Sequence, residues 1–251
     1  MKFGTFPQTI KSDDVTIICG PDERGYFTGS DGFSYIEVKA NPHESKLKFS
    51  TGLQIVEGNT YYFKVEPINW KVLCSKNKKA LLLCESAIAC HRFSENSSIY
   101  ESSEIRAWLN DTFLNNAFSI DEQERIIVTE VDNSIKSTGY KNNEFACENT
   151  FDKIFLMSHA DISKSEYGFN VYYCENKERQ RITSDYARAT GAYFSTDGEI
   201  YGNGYWWLRS PGDNRSYGRV RVVFPNGVSD YSYYYPNSDY GNVVPALWVK
   251  L

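Results

Sequence analysis

Histidine is scarce in this chain. His43, His91 and His159 lie far apart, and no H-x-H or H-E-x-x-H spacing offers a pair of metal ligands. The six cysteines, at positions 19, 74, 84, 90, 147 and 174, form no C-x-x-C pair, which argues against a structural zinc site. Their even number permits three disulfides. A chain of 251 residues can bury enough surface without staples, and Cys74 and Cys84 fall in apolar runs, so mostly buried free thiols are expected. There is no G-x-S-x-G elbow, no P-loop and no G-x-G-x-x-G between a strand and a helix. No catalytic residue, metal or cofactor is therefore expected. With 27 basic against 32 acidic residues and a net charge of -5, no polybasic tract exists, so nucleic acid is not an expected partner. No run approaches the roughly 18 apolar residues of a spanning helix, and Met1 to Pro7 lacks the apolar core of a signal peptide. A soluble chain without membrane insertion is the expectation, its compartment left open.

What the sequence has in excess is aromatic: 19 Tyr and 15 Phe, more than a core alone requires. Its length fits one domain over 1–251, with 1–60 as a candidate amino-terminal extension. Up to residue 60, turn signals such as Pro21 to Gly25 and Ser30 to Gly32 alternate with short aromatic runs, the punctuation of hairpins. Thr60 to Val65, Asn69 to Leu73 and Ala80 to Cys84 read as three strands, with Lys76 to Lys79 as a polar hairpin turn. They predict a central antiparallel sheet. From Ser102 the period changes: Ile105, Trp108, Leu109, Thr112 and Phe113 mark an amphipathic helix of roughly 12 to 14 residues. Ser119 and Glu122 match a capping box. Asp152 to Met157 reads as a buried strand with Ser158 as a cap, and Thr183 to Thr190 as a short helix with Tyr186 and Ala187 inward. Beyond the glycine-rich loop 191–204, Tyr205 to Ser210, Arg219 to Phe224, Val228 to Tyr235 and Val243 to Leu251 are strand candidates. The whole reads as an α+β fold: antiparallel sheets, two or more helices and long loops.

From Asp213 to Asn242, 17 of 30 residues are Asn, Ser, Asp or Tyr. Alternation keeps this tract ordered: Val220, Val222 and Phe224 share the inward parity, leaving Arg219, Arg221 and Val223 outward. If Val228 is buried, Ser229, Tyr231, Tyr233 and Tyr235 project outward together. Tyrosine offers broad amphipathic contact at low entropy cost, serine and asparagine adaptable hydrogen bonds, and arginine is enriched in hot spots. The tract is thus a candidate ligand-binding surface, 213–242, with Asn214, Arg215, Tyr217, Arg219, Arg221, Val223, Ser229, Tyr231, Tyr233, Tyr235, Asp239 and Tyr240 as contacts. The plain alternative is a wet strand face with Tyr–Tyr packing. Glu66-Pro67-Ile68-Asn69 is similar to the E-P-N calcium and sugar motif of C-type lectins, but carries an inserted residue and lies between strands, so no calcium is expected there.

Trp206 to Gly212 (WWLRSPG), the polar tract after it, and Val243 to Val249 (VVPALWV) resemble a large bacterial family of unknown function. Phe3 to Gln8, Val65 to Leu73 and Ser103 to Asn110 are similar to its other recurring segments, so the resemblance spans nearly the whole chain. It implies a C-type-lectin-like fold, with Trp206, Trp207 and Trp248 as scaffold. Some such proteins are variable proteins of diversity-generating retroelements, in which adenine-directed mutagenesis near the 3′ end diversifies codons. The palette of 213–242 fits that mechanism. Val244 departs from the family, which usually has Arg there. The implied function is a display domain for a macromolecular ligand, a protein in the first reading. A carbohydrate-binding module is the second. A formylglycine-generating-type oxidase is the third, and it depends on carboxy-terminal cysteines that this chain lacks after Cys174.

Overall fold

The computed structural model describes residues 1–212, 218–229 and 233–251. It is a mixed α+β structure, mostly strand with a few short helices, built on two sheets. The main sheet has nine strands. Its path runs Ile154–Phe155, Ala246–Lys250, Lys79–Cys84, Thr60–Lys76, Ser34–Lys39, Tyr26–Gly29 and Ile17–Cys19, while Lys2–Ile10 joins Thr60–Lys76 and Ile126–Ile127 joins Ala246–Lys250. Every pairing in it is antiparallel.

Two of the expected strands are one. Thr60–Lys76 runs unbroken through Pro67, which lies between Lys64, the last residue paired to Ser34–Lys39, and Trp70, the first paired to Lys79–Cys84. Its missing N–H interrupts neither ladder. The polar turn is as expected: Asn77 and Lys78 have φ of 51° and 57°, the positive pair that matches hairpin twist.

The expected helix starts at Ser103, whose hydroxyl accepts from Arg106 N. It continues through Glu104–Trp108, a π-helical turn Leu109–Phe113, and Leu114–Ala117. Ile105, Leu109 and Phe113 are buried, whereas the π turn leaves Thr112 exposed. The capping box forms: Ser119 Oγ accepts from Glu122 N at 3.3 Å and Glu122 Oε2 from Ser119 N at 2.9 Å. Glu122 Oε1 also accepts from Gly4 N at 3.0 Å, tying this helix to the first strand.

The amino-terminal segment is stitched to the rest rather than appended. Its small core of Ile10, Leu47, Phe49, Ile55 and Phe63 is completed by Ala189 and Phe194. Asp185, at the start of the helix Asp185–Ala189, accepts from Ile10 N at 3.2 Å and from Ser50 N and Oγ at 2.6 and 2.7 Å. The six cysteines are unbridged, but only Cys84 is buried, so the expectation of mostly buried thiols fails: Cys19 and Cys174 are exposed and the others half-buried. Among the described residues, no helix is long and apolar enough to cross a membrane.

Candidate functional site

The second sheet carries the candidate surface. It has five strands in the order Tyr233–Tyr234, Val220–Val223, Trp206–Pro211, Asn242–Val243, Ala89–Cys90. Its root is rigid. Trp206 and Trp207 are fully buried, and their indole N–H groups donate to Arg179 O at 3.0 Å and His91 O at 2.9 Å. Gly212 N donates to Arg219 O at 2.7 Å, closing the hairpin base, and Asn143 Nδ2 holds Gly212 O at 2.8 Å.

Of the expected contacts, Asn214, Arg215, Tyr217 and Tyr231 lie outside the described residues. Tyr235 is 58% exposed and Tyr240 38%. Asp239 is exposed, and Arg219 and Tyr233 are half-buried. Arg219 stands over the Tyr235 ring, its Cζ 4.6 Å from the centroid, with Nη2 donating to the Tyr235 hydroxyl at 3.1 Å. A cation on an aromatic face is worth about 0.5–1 kcal/mol at an exposed site; here it holds two long side chains in one arrangement.

Arg221, Val223 and Ser229 do not project outward. Arg221 is 1% exposed and the other two are fully buried. The alternation rule assumed one solvated face; in the structure Val220–Val223 is an interior strand with both faces covered. Val220 and Val222 join the hydrophobic core, while His159, Tyr140 and Tyr233 cover Arg221. Its guanidinium lies 4.6 Å from the Tyr140 centroid and 5.1 Å from that of Tyr233, whose hydroxyls meet at 2.8 Å. Arg221 Nη1 donates to Ser229 O at 3.1 Å and meets His159 Nδ1 at 3.2 Å. Ser229 is spent inside, its Oγ donating to Val222 O at 2.8 Å and its N to Tyr172 O at 2.8 Å. Burial first, then the Arg221 and Arg179 charges, pushes the His159 imidazole down to about 3, so it is neutral at pH 7.

Tyr234, of the parity expected inside, stacks on Tyr205 with centroids 4.2 Å apart. Tyr240 meets both edge-on, and Tyr193 and His43 extend the aromatic row. Sequence reasoning missed Tyr140, Asn143, His159 and Tyr193: each sits in a loop or turn without a periodic pattern, and only the three-dimensional path brings it to the strand pair. Glu66 of the E-P-N-like run is engaged elsewhere, Oε2 accepting from Thr9 Oγ1 at 2.7 Å. Among the described residues, no group of three or more His, Cys, Asp or Glu could hold a metal ion.

No curated protein and no solved structure matches the chain. The model of one family matches residues 77–251. That stretch includes the whole five-stranded sheet with its tryptophan root and the exposed Arg219–Tyr235 pair, and the chain belongs to that family, a domain of unknown function (DUF6273).

Proposed function

We propose that the chain is a C-type-lectin-like display domain, not an enzyme, that binds a protein through the carboxy-terminal end of its five-stranded sheet. The observation that carries this reading is the exposed Arg219–Tyr235 stack, standing on a sheet whose tryptophans and valines are fully buried. Rigid aromatic and arginine anchors on a preorganised base are the residue types that dominate protein interfaces, because little entropy remains to be lost on docking. Asp239 and Tyr240 extend the surface, Tyr233 forms its inner edge, and Asn214, Arg215, Tyr217 and Tyr231 are its remaining contacts. Arg221, Val223 and Ser229 serve as its support. The residue palette of 213–242 further supports a retroelement-diversified surface. The absence of cysteine after Cys174 counts against the oxidase reading.

The test is site-specific photo-cross-linking in the native cell, with the probe at Tyr235, at Tyr240, or at Ile18 on the far edge strand. One protein adduct common to Tyr235 and Tyr240, absent at Ile18 and lost with Arg219→Ala, is expected. Equal labelling at all three sites would contradict the proposal. A glycan adduct would replace protein by carbohydrate as the ligand.

A further inference from the structure

Beneath the segment Met157 to Tyr167, against the face of the main sheet, lies a cavity of about 190 Å³. At about 30 Å³ per water it has room for about six waters, which suits a small metabolite and not a peptide. Its floor is apolar, from Leu81, Val131, Phe155 and Met157, and Trp248 and Tyr167 wall it. Both carboxy-terminal signature motifs reach it, the first through Arg209 and the second through Trp248.

The charges there are unequally engaged. Arg209 is spent: Nη1 meets Asp161 Oδ2 at 2.9 Å and Leu156 O at 2.6 Å, and Nη2 donates to Asp132 O at 3.2 Å. Lys164 donates to Asp161 Oδ1 at 2.9 Å, and its side chain keeps 41% exposure. An ammonium has three donors, so capacity remains. From another segment, the exposed Glu130 and Asp132 bring carboxylates that accept from Asn149 Nδ2 at 3.0 Å and Ser134 N at 2.9 Å. A carboxylate can accept more. The cavity therefore offers an ammonium from one segment and two carboxylates from another, over an apolar floor.

We propose that this cavity binds a free α-amino acid with a small apolar side chain. Lys164 takes its carboxylate, Glu130 and Asp132 its ammonium, and Leu81 and Met157 its side chain. A zwitterion compensates both signs of charge at once, whereas an amine, a carboxylate or a neutral polyol would desolvate one sign without a partner. The site is separate from the carboxy-terminal display surface and does not rest on it.

The test uses the full chain with L-valine as the probe, read at the indole N–H resonance of Trp248. That signal is separable because Trp70, Trp206 and Trp207 donate theirs to backbone carbonyls. L-Valine is expected to shift it with roughly millimolar affinity, and N-acetyl-L-valine and L-valinamide to bind at least about tenfold more weakly. The double variant Glu130→Gln, Asp132→Asn changes only exposed positions, so the fold is retained while binding falls at least about tenfold. Glu57→Gln, an equally exposed acid elsewhere, leaves it unchanged. The proposal is overturned if no shift occurs at about 50 mM, if the two blocked analogues bind as well as valine, or if Glu57→Gln weakens binding equally. A response to glucose without one to valine would also overturn it, making the cavity a polyol site.

Discussion

Arg209 and Asp161 illustrate how much of this fold rests on single buried polar residues. Arg209 is 5% exposed and Asp161 is its counter-ion at 2.9 Å. Burial alone would raise the Asp161 carboxyl, but Arg209 and Lys164 outweigh it and hold it below the usual range. Asp161→Asn strands a buried guanidinium and is expected to cost about 3 kcal/mol, measured as a lowered urea midpoint. His159 gives the molecule an acid sensitivity of its own. Its imidazole is held down at about 3 when folded and titrates near 6.5 when unfolded. The unfolded chain therefore binds a proton that the folded chain refuses. The stability is fully present above about 6.5 and is lost as pH falls towards about 3, at a slope approaching 1.4 kcal/mol per pH unit. Asp161 adds to the loss only below about 4. In His159→Gln the slope between about 6.5 and about 4 should vanish; an unchanged slope would show that another group titrates. The hydroxyl of Tyr205 has no hydrogen-bond partner although it is buried. Tyr205→Phe keeps the stack on Tyr234 and is expected to stabilise the protein by about 1 kcal/mol, or at least not to weaken it, by the same urea measurement.

At the scale of elements, local chemistry was readable and tertiary coverage was not. The Ser119 capping box is fixed by a four-residue pattern and formed as read, so Ser119→Ala should cost about 1 kcal/mol in the same urea assay. The hairpin at Asn77 and Lys78 and the helix begun at Ser103 were likewise set by neighbours in sequence. Thr60–Lys76 was read as two strands because Pro67 looks like a break until its place between two ladders is known. Arg221, Val223 and Ser229 were read as outward because alternation reveals which residues share a face and not whether that face is solvated. What covers it comes from Tyr140, His159 and Tyr172, sixty or more residues away in sequence. In the candidate site, the exposed positions Tyr235, Asp239 and Tyr240 and the tryptophan root were legible, the supporting layer was not.

The whole molecule is more interdependent than the family boundary suggests. The matched region begins at residue 77, yet Lys79–Cys84 pairs with Trp70–Lys76, and Ala189 and Phe194 share a core with Ile10 and Phe63. A 77–251 fragment loses a central strand and leaves an open sheet edge, so it should aggregate or lack a cooperative thermal transition; a sharp transition like that of the full chain would show the amino-terminal segment to be dispensable. The display account makes its own claim at this scale: a surface free to vary on a base that is not. Sequencing the 3′ end of this gene across natural isolates, with its flanking DNA, tests it most directly. The account expects substitutions concentrated at codons 214, 215, 217, 219, 231, 233, 235, 239 and 240, with Val220, Arg221, Val222, Val223, Ser229 and the tryptophans unchanged, beside a near-duplicate repeat that differs only at adenines. Substitutions spread evenly over buried and exposed codons alike would contradict it.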